Sequence, residues 1–177
     1  NKGPGDVEAK KGQVKNLDSY LELYKNVTTE KTIGETSPSY INYPSCYEQI
    51  NKTLENPKII ILLRDPIKRA YSNYLHLLRE QRETESFSKS LDLEDTRKSL
   101  GYSDFWLYTF NSFYYDKIIE AKKIFSEVLI VSQEELNSDT IKTLAKVYEF
   151  LGVNSEFIPS NSDNRYNKGG LYKKNLI

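Results

Sequence analysis

The sequence has a single cysteine and no net charge, with 25 basic and 25 acidic side chains among 177 residues. One cysteine cannot form an internal disulfide, which favours a reducing compartment, so we expect a cytoplasmic protein. The balanced charge argues against a protein that coats nucleic acid. No apolar run approaches the ~20 residues that cross a bilayer, so no membrane insertion is expected.

Two motifs that would assign a function directly are also absent. The chain contains no G-x-x-x-x-G-K-[ST] phosphate loop and no spacing of histidine, cysteine and acidic residues suited to a metal ion. Its one histidine, His76, lies in a helical pattern. A lone helical histidine is usually exposed or hydrogen-bonded and takes no part in chemistry, which is how we interpret it.

The chain has no methionine, and it opens on the turn-like residues NKGPG. No strand or helix cap precedes this turn. We therefore expect residues 1–177 to form a single domain that is truncated at its N-terminus. Truncation at the C-terminus is left open.

The most informative stretch is residues 58–76. It begins with the apolar, β-branched run Ile59–Leu63, which is too short for a helix and predicts a parallel strand buried on both faces. Asp65 is suited to cap a following helix and Pro66 to begin it. Arg64 lies at the carboxyl end of the strand, the edge where open α/β sheets bind ligands. A helix N-terminus there favours an anion.

The helix that follows the strand is predicted to be amphipathic. Ser72 and Arg69 lie on its polar face, where we interpret Arg69 as a surface charge. The apolar face is formed by Ile67, Ala70, Tyr71, Tyr74, Leu75 and Leu78.

Elsewhere the chain alternates predicted strands and helices. Strands are predicted at residues 31–35 and 127–131, a long aromatic-rich helix at 104–124, and an amphipathic helix at 140–151 with Gly152 as its cap. This alternation is typical of an α/β fold with a central parallel sheet flanked by helices.

Four segments resemble, in order, landmarks of the PAPS-dependent sulfotransferases, particularly the heparan-sulfate type and its bacterial relatives. PAPS is 3′-phosphoadenosine 5′-phosphosulfate, the sulfuryl donor. Residues 61–74 resemble the 3′-phosphate segment, and GETSPSY at 34–40 resembles the strand and turn before it. Residues 134–136 and 147–153 together resemble a later stretch, and NKGG at 167–170 resembles the loop that closes over the nucleotide. The family's 5′-phosphosulfate loop has no counterpart before residue 31.

The resemblance implies a three-layer, P-loop-like fold and a role for six residues. Arg64 and Ser72 would bind the 3′-phosphate, since a guanidinium can hold a phosphate through two hydrogen bonds. Glu35 would be the general base that takes the acceptor's proton. The residues of the closing loop are Lys168, Gly169 and Gly170.

The function implied is transfer of a sulfuryl group from PAPS, without a metal, to a hydroxyl or amine of a carbohydrate or small molecule. Two alternatives stay open. One is a non-catalytic nucleotide- or glycan-binding module of the same fold; the other is a P-loop-like kinase, against which the missing phosphate loop counts. A Golgi-lumen location is the alternative to the cytoplasm, and the sequence sets no oligomeric state.

Overall fold

The structure is a computed structural model that describes residues 2–9, 11, 14, 16–162 and 164. In this part of the chain, β1 (Ile59–Leu63) and β2 (Val128–Ser132) form a parallel sheet. Their register runs from Ile59 opposite Val128 to Leu63 opposite Ser132. Both strands lie within a residue or so of the predicted segments. Parallel strands require a crossover connection, which the helices between them provide.

The helices of the described residues fall into three groups along the chain. Before β1 lie α1 (Asp6–Ala9), α2 (Leu17–Glu22) and α3 (Tyr47–Thr53). The crossover holds α4 (Pro66–Arg79), α5 (Phe87–Asp92), α6 (Glu94–Ser99) and α7 (Tyr115–Ile124). After β2 come α8 (Gln133–Ser138) and α9 (Thr140–Leu151). Short 3-10 helices occur at Tyr40–Asn42, Pro44–Cys46, Asp104–Trp106 and Phe110–Ser112.

The ends of α4 and α9 follow the predicted capping chemistry. The Asp65 side chain accepts a hydrogen bond from the Lys68 N–H, and Pro66 is the first residue of α4. At the other end of the chain, Gly152 ends α9 in the left-handed conformation, with φ of 76°. Glycine adopts this conformation without a steric cost, which explains its position there.

Two sequence predictions of secondary structure are wrong. Residues 31–35, predicted as a strand, form neither strand nor helix, and the sheet of the described residues consists of β1 and β2. The long helix at 104–124 is interrupted as well, and α7 begins only at Tyr115. The buried carboxylate of Glu94 accepts hydrogen bonds from the Thr109 N–H and hydroxyl, both at 2.6 Å, and this tertiary contact replaces helical bonding.

The burial of β1 also differs from the prediction. Ile61 is buried in a cluster with Tyr47, Ala121 and Phe125, which come from α3, α7 and the end of α7. Leu62, on the opposite face, is 57% exposed. The strand therefore packs fully on one face only, because the described helices leave its other face partly uncovered.

A second cluster lies under α4. Its buried members are Ala70, Tyr74, Leu77, Trp106 and Tyr108. The predicted apolar stripe is confirmed at Ala70 and Tyr74, which are buried, and at Leu75 and Leu78, which pack against the cluster. The stripe did not include Leu77, which is fully buried, and it did include Ile67, which is 77% exposed.

Buried ion pairs hold the helical layer together. Arg97 donates two hydrogen bonds to Glu83, at 2.7 and 2.9 Å, and the Tyr108 hydroxyl donates a third at 2.7 Å. Burial by itself raises the pKa of Glu83, but these hydrogen bonds outweigh it and hold the pKa below its usual value.

A second buried carboxylate ties the N-terminal segment to this layer. Asp6 accepts hydrogen bonds from the Ser103 N–H and hydroxyl, from the Trp106 indole and from Arg82. A Cβ at Gly3 would overlap the Trp106 indole, so glycine is the residue that fits at this position.

Candidate functional site

The carboxyl ends of β1 and β2 lie side by side, since Leu63 is paired with Ser132. A helix starts directly after each strand. Ser132 caps α8 through a reciprocal capping box with Glu135, and the Asp65 N–H donates to Glu134 Oε1 at 3.2 Å. The two strand ends and two helix starts therefore form one continuous edge, where the sequence places the ligand site.

Arg64 lies at this edge and is half-buried. Among the residues that the structure describes, its guanidinium forms no hydrogen bond or ion pair. Pairing with Asp65, the simplest structural role, is not seen, because the Asp65 carboxylate caps α4 instead. The guanidinium is a fixed positive charge with a planar set of donors, which suits a phosphate.

Ser72 lies about two turns into α4, roughly 9 Å along the helix axis from Pro66. At 100° per residue it faces away from the side on which Ala70, Tyr74 and Leu77 are buried. Its side chain is half-buried. The structure thus places Ser72 on the side of α4 that is not used for packing, as the sequence predicts.

Tyr114 is a site residue that sequence reasoning did not single out. It lies close enough to Arg64 for the Arg64 backbone N–H and positive charge to lower the pKa of its hydroxyl. Burial raises the pKa of Tyr114, while the charges of Arg69 and Arg64 oppose that rise. The only signal in the sequence is the density of aromatic residues at 105–115, most of which we expected in the core.

The prediction that Arg69 is a surface charge is wrong. It is half-buried and donates to the Tyr108 carbonyl at 3.2 Å and to Asn73 Oδ1 at 3.1 Å. Burial lowers the pKa of its guanidinium. Arg69 therefore holds α4 against the 104–112 segment. It can do so because the buried side of α4 is rotated from the predicted apolar stripe towards Arg69.

Glu35 lies in the irregular segment at residues 32–37, and its carboxylate is exposed. A hydrogen bond with Glu35 is the main cause that raises the pKa of Tyr40 to about 12. The charge of Glu35 also helps to raise the pKa of Tyr20, whose main cause is a hydrogen bond with Tyr24. The candidate base is therefore accessible and lies among tyrosine hydroxyls.

A buried amide and ammonium network joins the Glu35 segment to the Tyr114 segment. Asn42 donates to Asn111 Oδ1 at 2.7 Å, and Lys117 donates to Asn42 Oδ1 at 2.9 Å. Lys117 also donates to the Phe110 carbonyl. Burial lowers the pKa of Lys117, and the nearby charge of Arg69 adds to this effect.

His76 has both ring nitrogens engaged on the surface of α4. Nε2 lies 3.0 Å from Glu80 Oε1, and Nδ1 lies 2.9 Å from the Arg79 guanidinium. These contacts along one helix agree with the interpretation of His76 as a residue outside the chemistry.

The remaining predicted site residues, Lys168, Gly169 and Gly170, lie outside the described residues. Within the described ranges, no three histidine, cysteine or acidic side chains gather in a way that could hold a metal ion. Over the same residues, no helix has the length and apolar character that a membrane span requires.

Comparison with known proteins supports the resemblance to sulfotransferases independently of the site geometry. A model of the sulfotransferase family matches residues 9–156. The crystal structure of a sulfotransferase from Alicyclobacillus acidocaldarius superposes with a TM-score of 0.87 at 32% identity, covering 94% of this chain and 68% of that one. This neighbour has a P-loop-like fold, which confirms the predicted fold class.

Two curated relatives match over shorter stretches. Heparan sulfate glucosamine 3-O-sulfotransferase 3B1 of Mus musculus is 28% identical over 142 residues, 78% of this chain and 36% of that protein. Membrane-associated sulfotransferase kil1 of Dictyostelium discoideum is 44% identical over 55 residues, 31% of this chain and 12% of that protein. The chain therefore spans 36% or less of the length of these relatives. Because the family model matches most of its length, the chain belongs to the sulfotransferase family.

Proposed function

We propose that this chain binds PAPS and takes part in transferring its sulfuryl group to a hydroxyl or amine of a carbohydrate or small-molecule acceptor. The observation that carries the proposal is Arg64, an uncommitted guanidinium among the described residues, at the strand edge of a sulfotransferase-family chain. An arginine held by a neighbouring acid would instead have been part of the fold.

The described residues fit one end of PAPS. Arg64 and Ser72 would hold the 3′-phosphate, with the Tyr114 hydroxyl beside Arg64 as an additional polar contact. The N-terminus of α4 adds a partial positive charge close by. Lys168, Gly169 and Gly170 stay a prediction for the loop that closes over the nucleotide. PAPS, when bound, supplies the activated sulfuryl group, and we assign none of the described residues to its 5′-phosphosulfate.

Glu35 is our candidate for the general base. Its exposed carboxylate can accept the proton that an acceptor hydroxyl loses as the hydroxyl oxygen attacks sulfur. The Tyr40 hydroxyl lies close enough to this carboxylate for the two groups to interact. A purely structural role, as the partner of Tyr40, is the competing interpretation of the same contact.

A thermal-shift comparison tests nucleotide binding. Adenosine 3′,5′-bisphosphate should stabilise the protein, by about 2.7 kcal/mol at a concentration 100 times its Kd. ATP lacks a 3′-phosphate and should stabilise it much less. Equal stabilisation by the two nucleotides would favour the P-loop-like kinase, and no stabilisation by either would refute nucleotide binding.

The Glu35→Gln variant tests the base separately. Turnover of PAPS with an acceptor should be lost while affinity for adenosine 3′,5′-bisphosphate is kept. Glu48→Gln, an exposed change on α3, is the matched control. If Glu35→Gln kept full turnover, or if adenosine 3′,5′-bisphosphate no longer stabilised this variant, Glu35 would be a structural partner of Tyr40 and not the base.

If nucleotide binding persists but no acceptor is turned over, the non-catalytic module becomes the better description. A cytoplasmic location, and the Golgi-lumen alternative, stay predictions from the cysteine content.

A further inference from the structure

The carboxylate of Glu134 joins the starts of two helices at the strand edge. Glu134 lies in the first turn of α8, and its Oε1 accepts a hydrogen bond of 3.2 Å from the backbone N–H of Asp65, the residue that caps α4. The two residues are 69 positions apart in the chain, so this contact is tertiary. Because like charges disfavour each other, a carboxylate at an edge that is proposed to bind a phosphate requires a separate explanation.

The Asp65 N–H has no partner in the regular hydrogen bonding of the strand or the helix. The ladder between β1 and β2 ends one residue before Arg64, at the Leu63–Ser132 pair. The other polar groups of Asp65 are already used. Its carboxylate accepts from the Lys68 N–H and its carbonyl accepts from the Arg69 N–H, both at 2.8 Å. Glu134 therefore supplies the acceptor that neither element offers to this N–H.

Arg64 lies between two residues that are fixed to the second strand and its helix. Leu63, before it, is paired with Ser132, and Asp65, after it, is held by Glu134. The backbone is therefore anchored on both sides of Arg64, whereas the guanidinium is unpaired among the residues that the structure describes. A binding side chain on an anchored backbone loses less freedom when its ligand arrives, and supporting hydrogen bonds fix the direction in which it projects.

Helix capping does not explain the contact of Glu134 with Asp65. The capping box of α8 belongs to the neighbouring acid, Glu135, whose Oε2 accepts from the Ser132 N–H at 2.9 Å. The Ser132 hydroxyl accepts in turn from the Glu135 N–H at 3.0 Å. Both acids lie in the first turn and share the favourable interaction with the helix dipole. The hydrogen bond to Asp65 is the contact that distinguishes Glu134 from Glu135.

We propose that Glu134 is a positioning residue, which holds the backbone at Arg64 and Asp65 so that the Arg64 guanidinium faces the 3′-phosphate of the nucleotide. This inference rests on the proposed function, because the 3′-phosphate is the group assigned to Arg64 there. In this role Glu134 acts through Arg64 and contacts no reacting atom. Its contribution comes from accepting a hydrogen bond, since its negative charge opposes phosphate binding. A glutamine side chain can accept the same hydrogen bond through its amide oxygen.

Calorimetric titrations with two nucleotides test the proposal. Adenosine 3′,5′-bisphosphate carries the phosphate that Arg64 would bind, and adenosine 5′-phosphate lacks it. Glu134→Ala should weaken the bisphosphate about twofold to tenfold, the range for one lost hydrogen bond, and should leave the 5′-phosphate unchanged. Glu134→Gln keeps the acceptor and removes a negative charge, so it should bind the bisphosphate at least as tightly as the parent. The Glu134 side chain is exposed, so both variants should fold.

Glu135→Ala is the matched control. It removes an acid from the same turn and breaks the capping box, so it should lower the urea-unfolding midpoint without changing the preference for the bisphosphate over the 5′-phosphate. A purely structural role for Glu134 would give this same signature.

The double variant Glu134→Ala with Arg64→Ala gives a second measurement, which needs the bisphosphate alone. If Glu134 acts through Arg64, its removal should have no further effect on bisphosphate affinity once the Arg64 side chain is gone.

The proposal is overturned if Glu134→Ala binds the bisphosphate as the parent does, or if Glu134→Gln weakens it as much as Glu134→Ala. It is also overturned if the effect of Glu134→Ala persists in full when Arg64 is alanine. Failure of the proposed function has a different signature, because the parent protein itself would then show no preference for the bisphosphate over the 5′-phosphate.

Discussion

Glu83 in the helical layer and Arg64 at the strand edge show two ways in which this fold treats a charge. Glu83 is 3% exposed and accepts hydrogen bonds from Arg97, from Tyr108 and from backbone N–H groups. The Arg64 guanidinium has no such partner among the described residues. A buried charge must be paired to be tolerated, whereas a half-buried charge at an edge can remain unpaired until a ligand binds. The difference separates charges that hold the fold from charges that bind.

The same contrast occurs within one short stretch of sequence. Arg64 and Arg69 both belong to the segment that resembles the 3′-phosphate site, and both are half-buried. Arg69 is bonded to Tyr108 and Asn73 and keeps α4 in place. Motif membership alone therefore does not assign a function to an arginine; its partners in the folded chain do.

The largest effect should follow removal of the buried charge. We expect Glu83→Gln to lower the free energy of unfolding by about 3–5 kcal/mol, because it leaves Arg97 buried without its partner. Urea unfolding measures the change, and Glu85→Gln, an exposed change nearby, should have little effect. Similar unfolding midpoints for the two variants would mean that the Glu83–Arg97 pair is not a determinant of stability.

The next effect concerns the two arginines directly. Arg64→Ala should weaken adenosine 3′,5′-bisphosphate by roughly 10- to 100-fold, since hydrogen bonds to a charged group contribute about 1.5–3 kcal/mol. Its unfolding midpoint should stay near that of the parent. Arg69→Ala should instead lower the midpoint, and Lys68→Ala, an exposed cation on the same turn, should change neither.

Calorimetry and urea unfolding of the three variants make the comparison complete. If Arg69→Ala weakened the nucleotide as much as Arg64→Ala while remaining equally stable, the distinction between a binding arginine and a packing arginine would be wrong.

Acidification should destabilise the protein through the buried carboxylates of the helical layer, by a smaller amount than the substitutions above. Burial by itself raises the pKa of Asp6, but hydrogen bonds from Ser103 and Trp106 outweigh it and place the pKa below 3.8. A carboxylate whose pKa is lower in the folded state adds stability above its unfolded pKa. That stability is lost as the pH falls through the folded value. Asp6 and Glu83 should therefore make stability decline below about pH 4.5, the higher of their two ordinary pKa values, with no change from these groups at neutral pH.

Unfolding midpoints measured from neutral pH down to pH 3 check this expectation. Asp6→Asn should be less stable than the parent at neutral pH and should lose less on acidification. A parallel decline in parent and variant would show that Asp6 does not contribute to the acid dependence.

The sequence anticipated the parts of the fold that local chemistry determines. The apolar run of β1, the Asp65–Pro66 start of α4 and the Gly152 end of α9 each depend on a few adjacent residues, and all are found. Arg64 and Ser72 lie where that local pattern puts them.

What the sequence could not anticipate depends on distant partners. The 104–124 segment is broken because Glu94 bonds to Thr109 across the helical layer, and Arg69 is held in a half-buried position by its hydrogen bond to the Tyr108 carbonyl. Tyr114 joins the site only through a contact with the Arg64 backbone. Hydrophobic periodicity in a sequence does not reveal contacts between distant residues, so these features required the three-dimensional structure.

The smallest effect, on Ser72, tests the edge region with the least disturbance. A neutral hydroxyl contributes about 0.5–1.5 kcal/mol through a hydrogen bond, so Ser72→Ala should weaken adenosine 3′,5′-bisphosphate by roughly twofold to tenfold. Alanine keeps the helix, because it has the higher helix propensity, so the unfolding midpoint should not fall. Ser88→Ala, an exposed serine in α5, is the control.

Combining Ser72→Ala with Arg64→Ala makes this last test more informative. If both side chains hold the same phosphate, the double variant should lose less affinity than the sum of the single losses, because the remaining partner of a shared group is already misplaced. Strict additivity of the two losses would mean that the residues act on separate groups. The edge would then bind the nucleotide through Arg64 alone, and Ser72 would be an ordinary residue of the half-buried helix face.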